Sequence, residues 1–270
     1  LETVRQAKDI TRQIIKNLNI TGPFNVQFIA KDNELKVIEC NVRASRSFPF
    51  VSKVSNHNFI QIAAEAMLGI QNDNDYETLE LDRVGVKSPQ FSYNRLKGAD
   101  PVAGVEMAST GEVACFGVDQ LDAFYSSWLS TDQKIEGKSL FLSVPDDQKY
   151  KFVDEAAALV RKGWQIYSTI GTHNFLKSHG VPTTKLRKVS EQKEPSATTM
   201  IAKNKIALMI NVPTTIEELS TDGYVIRRQA IDNHIPLMTN AETGRLLMRC
   251  LANDSVLDRQ PISWQEYVAD

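Results

Sequence analysis

Cysteine is scarce in these 270 residues: there are three, at positions 40, 115 and 250, odd in number and far apart. That argues against a disulfide framework and fits reduced, buried thiols in an intracellular protein. Neither the cysteines nor the four histidines fall at zinc-site spacing. Long apolar runs are also missing. None approaches the length of a membrane span, and no signal peptide is recognisable. Nor does one sign of charge prevail: 31 basic and 33 acidic side chains leave a formal net charge of -2. That balance gives no general reason to expect nucleic acid or an anionic membrane as a partner. The expected location is a reducing interior, the cytoplasm or an organelle such as the mitochondrion.

What is present is an ordinary globular composition, 42% hydrophobic and 24% charged, at a length that buries a real core and suits two domains. The chain opens at Leu1, without Met, inside a helical pattern. The expectation is therefore the C-terminal portion of a longer protein.

The most informative stretch is Val37-Ile38-Glu39-Cys40-Asn41-Val42-Arg43-Ala44-Ser45-Arg46. Residues two apart in a strand share a face, so Glu39 and Asn41 point the same way. Asn25 to Ala30 is also strand-like, and Asp32-Asn33 supplies turn chemistry between the two. A hairpin centred on Asn33 sets Val26 against Cys40 and Phe28 against Ile38 on an apolar face. Gln27 then faces Glu39, and Asn25 faces Asn41, on the polar one. Three oxygen-bearing side chains converge, with Arg43 and Arg46 just beyond. Magnesium takes one or two carboxylates and completes its shell with water and phosphate oxygens, and arginine grips phosphate through a planar fork. Spacing alone fits a solvated surface hairpin equally well.

Helical spacing runs from Thr3 to Leu18 and again from Phe59 to Met67, with a loop expected through Phe48-Pro49-Phe50. The polar run Gln71 to Glu80 reads as a surface connection, and 84–117 as irregular, with Lys87, Arg95 and Glu112 in structural roles. A helix over Gln120–Ser130 leads to a polar, glycine-ended stretch where a domain boundary is placed, between residues 135 and 136. Beyond it, strands are expected at Leu140–Val144, Gln165–Thr169, Lys205–Asn211 and Ile235–Met238. Helices are expected over Tyr150–Lys162, Thr172–Ser178, Asp222–Asn233 and Ala241–Leu251. Such alternation implies a mostly parallel sheet covered on both faces, with ligands at the carboxyl ends of its strands.

Those strand ends carry Lys149; Ser168, Thr169, Gly171 and Thr172; Arg187-Lys188; and Asn211. Gly171-Thr172 opens a helix, whose start favours negative charge. Each residue alone is better read as turn chemistry, but their recurrence describes a phosphate pocket. Val225-Ile226-Arg227-Arg228 reads as a helix face that packs or forms salt bridges.

The hairpin wording resembles the large chain of the carbamoyl-phosphate synthetase family. The likeness runs through Asn25-Val26-Gln27-Phe28, Ile38 to Arg46 and Pro49-Phe50-Val51-Ser52-Lys53, with Val42 where the family has Pro. Met107-Ala108-Ser109-Thr110-Gly111-Glu112 extends it. Ser168-Thr169-Ile170-Gly171-Thr172, Ile210-Asn211 and Tyr224 to Arg228 resemble the family's methylglyoxal-synthase-like regulatory domain. The implied fold class is α/β: the C-terminal part of an ATP-grasp α+β domain (1–135), then a doubly wound parallel-sheet methylglyoxal-synthase-like domain (136–270). The resemblance implies Mg2+ or Mn2+ held by Gln27, Glu39 and Asn41, ATP as substrate, and Arg43 and Arg46 facing its phosphates. It also implies effector contacts from Lys149, Thr169, Thr172, Lys188 and Asn211. Pro213 departs from a hydroxyl found in some members, a contact that Thr214 could replace.

The activity implied is transfer of phosphate from ATP to carbamate. A glutamine amidotransferase subunit or domain and the rest of the synthetase chain would be partners, and a UMP- or UTP-like nucleotide the effector. An independent effector-binding module is the competing reading. A methylglyoxal-synthase-like lyase fits less well, because the loop after Asn211 reads Val212-Pro213-Thr214-Thr215-Ile216-Glu217-Glu218, without the Gly and Asp that chemistry needs.

Overall fold

The structure is a computed structural model that describes residues 2–70, 83–104, 107–187, 189–191, 193–214 and 221–269. It divides into two compact units, Leu1–Arg83 and Val84–Asp270.

In the first unit, α1 (Glu2–Leu18) turns Ala7, Ile10 and Ile14 to a half-buried side and its charges to water. The hairpin follows as β1 (Asn25–Lys31) and β2 (Glu34–Asn41). Its two-residue turn has positive φ at Asp32 (51°) and Asn33 (63°), a backbone these residue types tolerate. At the open end the register is as expected: Asn25 with Asn41, Val26 with Cys40, Gln27 with Glu39. Nearer the turn it departs, because Phe28 pairs with Val37 and not with Ile38. The turn sets Lys31 against Glu34. Continued unbroken, that register would bring Ile38 to Gln27 and swing Glu39 to the other face. A bulge at Ile38 absorbs the mismatch.

The loop expected through Phe48-Pro49-Phe50 is instead the start of a helix, α2 (Phe48–Ser55). Proline in a first turn lacks only an N–H that would have no partner there. In α3 (Phe59–Met67), Asn58 caps the start by accepting from the Gln61 amide at 3.1 Å. Among the described residues of this unit none is buried, and Leu18, Val42, Met67 and Leu68 are exposed. The run Gln71–Glu80 lies outside the described residues.

The second unit opens on an antiparallel pair, β3 (Val84–Gln90) and β4 (Gly111–Gly117), where the sequence reads as irregular. Lys87 and Glu112 form an ion pair across it at 3.1 Å, the structural role expected of them. Helix α4 (Gln120–Leu129) packs on both strands, and its Phe124 and Trp128 join the core under the parallel sheet. Packing therefore divides the chain at 83/84, ahead of the textural change near 135.

The sheet is five-stranded and wholly parallel in the order β7-β6-β5-β8-β9. Its strands are β5 (Ser139–Ser143), β6 (Gln165–Thr169), β7 (Thr184–Leu186), β8 (Leu208–Asn211) and β9 (Leu237–Met238). Between them run α5 (Val153–Arg161), α6 (Ile170–Ser178), α7 (Ala197–Ala202) and α8 (Asp222–Asp232), with α9 (Ala241–Leu251), α10 (Asp254–Leu257) and α11 (Trp264–Ala269) after the last strand. Strand β7 and helix α7 were not expected. Three residues and six are too few to show a period.

Alternate residues of each strand feed two cores. Leu140, Leu142, Ile166, Leu208 and Ile210 pack with α4, α5 and α9, and Phe141, Tyr167 and Met209 with α7 and α8. The sheet is thus doubly wound. The chain proceeds from β5 outward through β6 and β7, then returns to the other side through β8 and β9. The switch point falls between β5 and β8, where such sheets bind ligands.

Candidate functional site

The hairpin brings its polar side chains together as the register requires. Asn41 Nδ2 donates to Glu39 Oε1 at 2.8 Å and to Asn25 Oδ1 at 3.3 Å, and Gln27 stands opposite Glu39. Gln27 and Glu39 are exposed and Asn41 is half-buried. Arg43 and Arg46 follow in the exposed stretch before α2, with Arg43 Nη1 on the carbonyl of Ala44 at 3.3 Å. Among the described residues no cluster of three or more His, Cys, Asp or Glu could hold a metal. One carboxylate with two amides is a fitting donor set for a divalent ion that draws its remaining ligands from phosphate and water. It is too poor for a metal held by this hairpin alone.

The second constellation sits at the switch point. Ser143, Thr169 and Asn211 end three adjacent strands, and in a parallel sheet residues side by side share a face. Ser143 Oγ lies 3.3 Å from Thr169 Oγ1, and Asn211 is paired with Ser143 in the ladder. Thr169 is also the N-cap of α6, yet its side chain makes no capping bond to the first turn. The hydroxyl of Thr172 accepts from the Val144 amide at 3.4 Å, tying the start of α6 to the end of β5. Between them is Lys149, on the 3-10 turn over Asp146–Phe152 that follows β5.

Lys149 is buried, and its ammonium pairs with the carboxylate of Asp146. A Cβ at Gly171 would come within 2.9 Å of Lys149 Nζ and 4.0 Å of Asp146 Oδ1. Only glycine lets the cation approach the helix start this closely. Asn211 is 3% exposed, and its Nδ2 has no hydrogen-bond partner; Ser168 Oγ, fully buried, has none either. A buried N–H left unpaired costs about 1–3 kcal/mol, which an anion accepting from it would offset. The pocket thus combines a buried cation, hydroxyls, an unpaired amide N–H and an uncapped helix start, the chemistry that holds a phosphate.

Lys149, Thr169, Thr172 and Asn211 therefore lie at one sheet edge as anticipated, whereas Lys188 lies outside the described residues. Ser143 and Asp146 were not anticipated. Ser143 was legible as the polar residue closing an apolar strand. Nothing in the sequence marks Asp146 as the partner of Lys149 rather than a solvated turn residue. Arg227 and Arg228 pack and form ion pairs as expected, with Asp100 and Asp232.

A doubly wound parallel sheet thus carries this polar cluster at its switch point, and a hairpin bearing one carboxylate and two amides precedes it in the chain. Comparison with known proteins gives both parts a family. A family model for the MGS-like domain matches residues 151–239, and one for ATP-grasp in the biosynthetic pathway with Ter operon matches residues 1–87. The chain is 44% identical over 276 residues to the multifunctional protein pyrABCN of Emericella nidulans, a match covering 98% of this chain and 12% of that protein. It is 43% identical over 269 residues to the multifunctional protein URA2 of Saccharomyces cerevisiae, covering 95% and 12%. To the mitochondrial carbamoyl-phosphate synthase [ammonia] of Homo sapiens it is 38% identical over 277 residues, covering 98% and 18%. The chain is thus similar over 95 to 98% of its own length to carbamoyl-phosphate synthase and multifunctional relatives, and it spans 12 to 18% of their length. No described helix is long and apolar enough to cross a membrane.

Proposed function

We propose that this chain supplies two parts of a carbamoyl-phosphate synthetase: one wall of the site that phosphorylates carbamate, and a regulatory domain that binds a phosphorylated effector. Residues 1–135 form the first part and 136–270 the second. The observation that carries the regulatory half is the row Thr169, Ser143 and Asn211 across three strand ends, with buried Lys149 beside the uncapped start of α6.

In the first part, Glu39, Asn41 and Gln27 would hold Mg2+ or Mn2+. When bound, the ion offsets charge on the ATP phosphates. Glu39 supplies the one negative charge of the set. The side chain of Asn41 is held by Asn25 and Glu39, so the donor set is oriented before any ligand arrives. Arg43 and Arg46, both exposed, orient the phosphoryl group and spread its charge through their planar forks. The unburied apolar residues of this unit support a wall that further chain completes. Ammonia would come from a glutamine amidotransferase subunit or domain, and carbamate from the rest of the synthetase.

In the second part, Lys149, Thr169, Thr172, Asn211 and Lys188 receive the effector phosphate, with Ser143 as an added hydroxyl. The loop after β8 reads Val212 to Glu218 with neither Gly nor Asp, which favours binding without chemistry. A uridine nucleotide such as UMP or UTP suits the cationic, hydroxyl-rich pocket better than a ligand bearing only carboxylates. Calorimetric titration of the chain with UMP, UTP and N-acetylglutamate tests this: a nucleotide should bind and N-acetylglutamate should not. Binding of N-acetylglutamate alone would overturn it.

A further inference from the structure

The phosphate pocket does not use the two arginines of α8, yet both are among the most buried charges of the second unit, Arg227 at 1% exposure and Arg228 at 8%. One segment, residues 93–100, accepts most of the hydrogen bonds they make. Arg227 forks onto Asp100, with Nε donating to Oδ1 at 2.8 Å and Nη2 to Oδ2 at 2.5 Å. Arg228 Nη1 reaches the carbonyls of Tyr93, Leu96 and Ala99 at 3.1, 3.0 and 3.1 Å. Its Nε and Nη2 are held by Asp232. The hydroxyl of Tyr224 donates to the Gly98 carbonyl at 2.9 Å.

Such a buried latch does not loosen by degrees. A guanidinium that loses its carboxylate keeps an uncompensated charge in a low dielectric, so segment and helix move together or part completely.

The first residue of the same helix is tied to the turn that follows β7. Asp222, its first residue, accepts from the Ser190 amide at 3.1 Å and the Ser190 hydroxyl at 2.9 Å. Ser190 lies on the 3-10 turn over Val189–Glu191, directly after Lys188. Helix α8 also packs over β8, which ends at Asn211.

We propose that α8 is the coupling element of this domain: a phosphate ligand at the ends of β5, β6 and β8 shifts α8, and the arginine latch carries that shift to residues 93–100, the loop leading out of β3. Arg227, Arg228 and Tyr224 are positioning residues in this scheme. It rests on the phosphate-pocket reading above.

Amide hydrogen exchange on the 270-residue chain, with and without UMP, tests it. In the wild type, UMP should slow exchange at 168–172 and at 93–100. In Asp100→Asn and Arg228→Lys the slowing at 168–172 should persist and that at 93–100 should be lost. Tyr224→Phe removes one hydrogen bond and no charge; it should weaken the response at 93–100 and serves if a charge variant fails to fold. Protection at 168–172 with no change at 93–100 in the wild type overturns the coupling and leaves the pocket standing. A full response at 93–100 in both Tyr224→Phe and Arg228→Lys also overturns it. No protection at either segment removes pocket and coupling together.

Discussion

Glu39 stands opposite Gln27 at the open end of the hairpin, and Ile38 is bulged out beside them. The pairing depends on that bulge. With Ile38 in the ladder, Glu39 and Asn41 would both turn to the apolar face and leave Gln27 without them.

The expected consequence is that Glu39→Gln in the full-length synthetase abolishes carbamate phosphorylation. A loss of about 100-fold or more is expected when a preorganised charge is removed from a phosphoryl-transfer site. The bicarbonate-dependent ATPase of the other synthetase half should remain. Measuring the two partial reactions separately checks this, and equal loss of both would remove the special role of Glu39.

Asp146 occupies the cation that the pocket would offer to a phosphate, although its own side chain is almost fully exposed. It acts as a competing anion, and Asp146→Asn should tighten phosphate-ligand binding. An exposed carboxylate in an ion pair contributes about 0.2–1 kcal/mol, so the gain is a few-fold at most, roughly 5-fold. Titrating both proteins with the same nucleotide reads the difference. Weaker binding by Asp146→Asn would mean that the carboxylate positions Lys149 instead of competing for it.

Cys250 is fully buried on α9, and burial pushes its thiol pKa up to about 12. The thiolate is the reactive form. At pH 8 an alkylating reagent should therefore label the half-buried Cys40 and Cys115 and spare Cys250 until the protein is unfolded. Mass spectrometry of labelled peptides checks the order. Prompt labelling of Cys250 in the folded chain would contradict its placement.

Gly117 marks the closest approach of β4 to α4. A Cβ there would meet the Ala123 backbone nitrogen at 2.4 Å, and backbone cannot rotate away. Gly117→Ala should destabilise the second unit by about 1–3 kcal/mol, as overpacking does. A lower urea midpoint at unchanged slope is the expected result.

Much of this was legible before any coordinates. Alternation of short apolar runs with amphipathic helices is strong in 140–251, so the parallel sheet and α9 could be read directly. Gln27, Glu39 and Asn41 could be grouped because strand period puts Glu39 and Asn41 on one face and the apolar facing pattern sets Gln27 against them. The bulge at Ile38 could not be read. It arises from a one-residue conflict between a two-residue turn and the facing pattern, and neither local signal reveals the other. Helix α2 was hidden because Phe48-Pro49-Phe50 carries as much turn character as helix-start character. The Asp100–Arg227 pair joins residues 127 apart in sequence, a distance over which no local pattern carries information. In the pocket, hydroxyls at strand ends were visible, whereas the burial of Lys149 depends on the 3-10 turn that folds it beneath α6.

The measurement that bears most directly on the whole account is calorimetric titration of the chain and of Lys149→Ala with a uridine nucleotide. The wild type should bind, and Lys149→Ala should bind about 10- to 100-fold more weakly, the effect of losing about 1.5–3 kcal/mol from a charged hydrogen bond. Equal affinities in the two proteins, or no binding by the wild type, would contradict it.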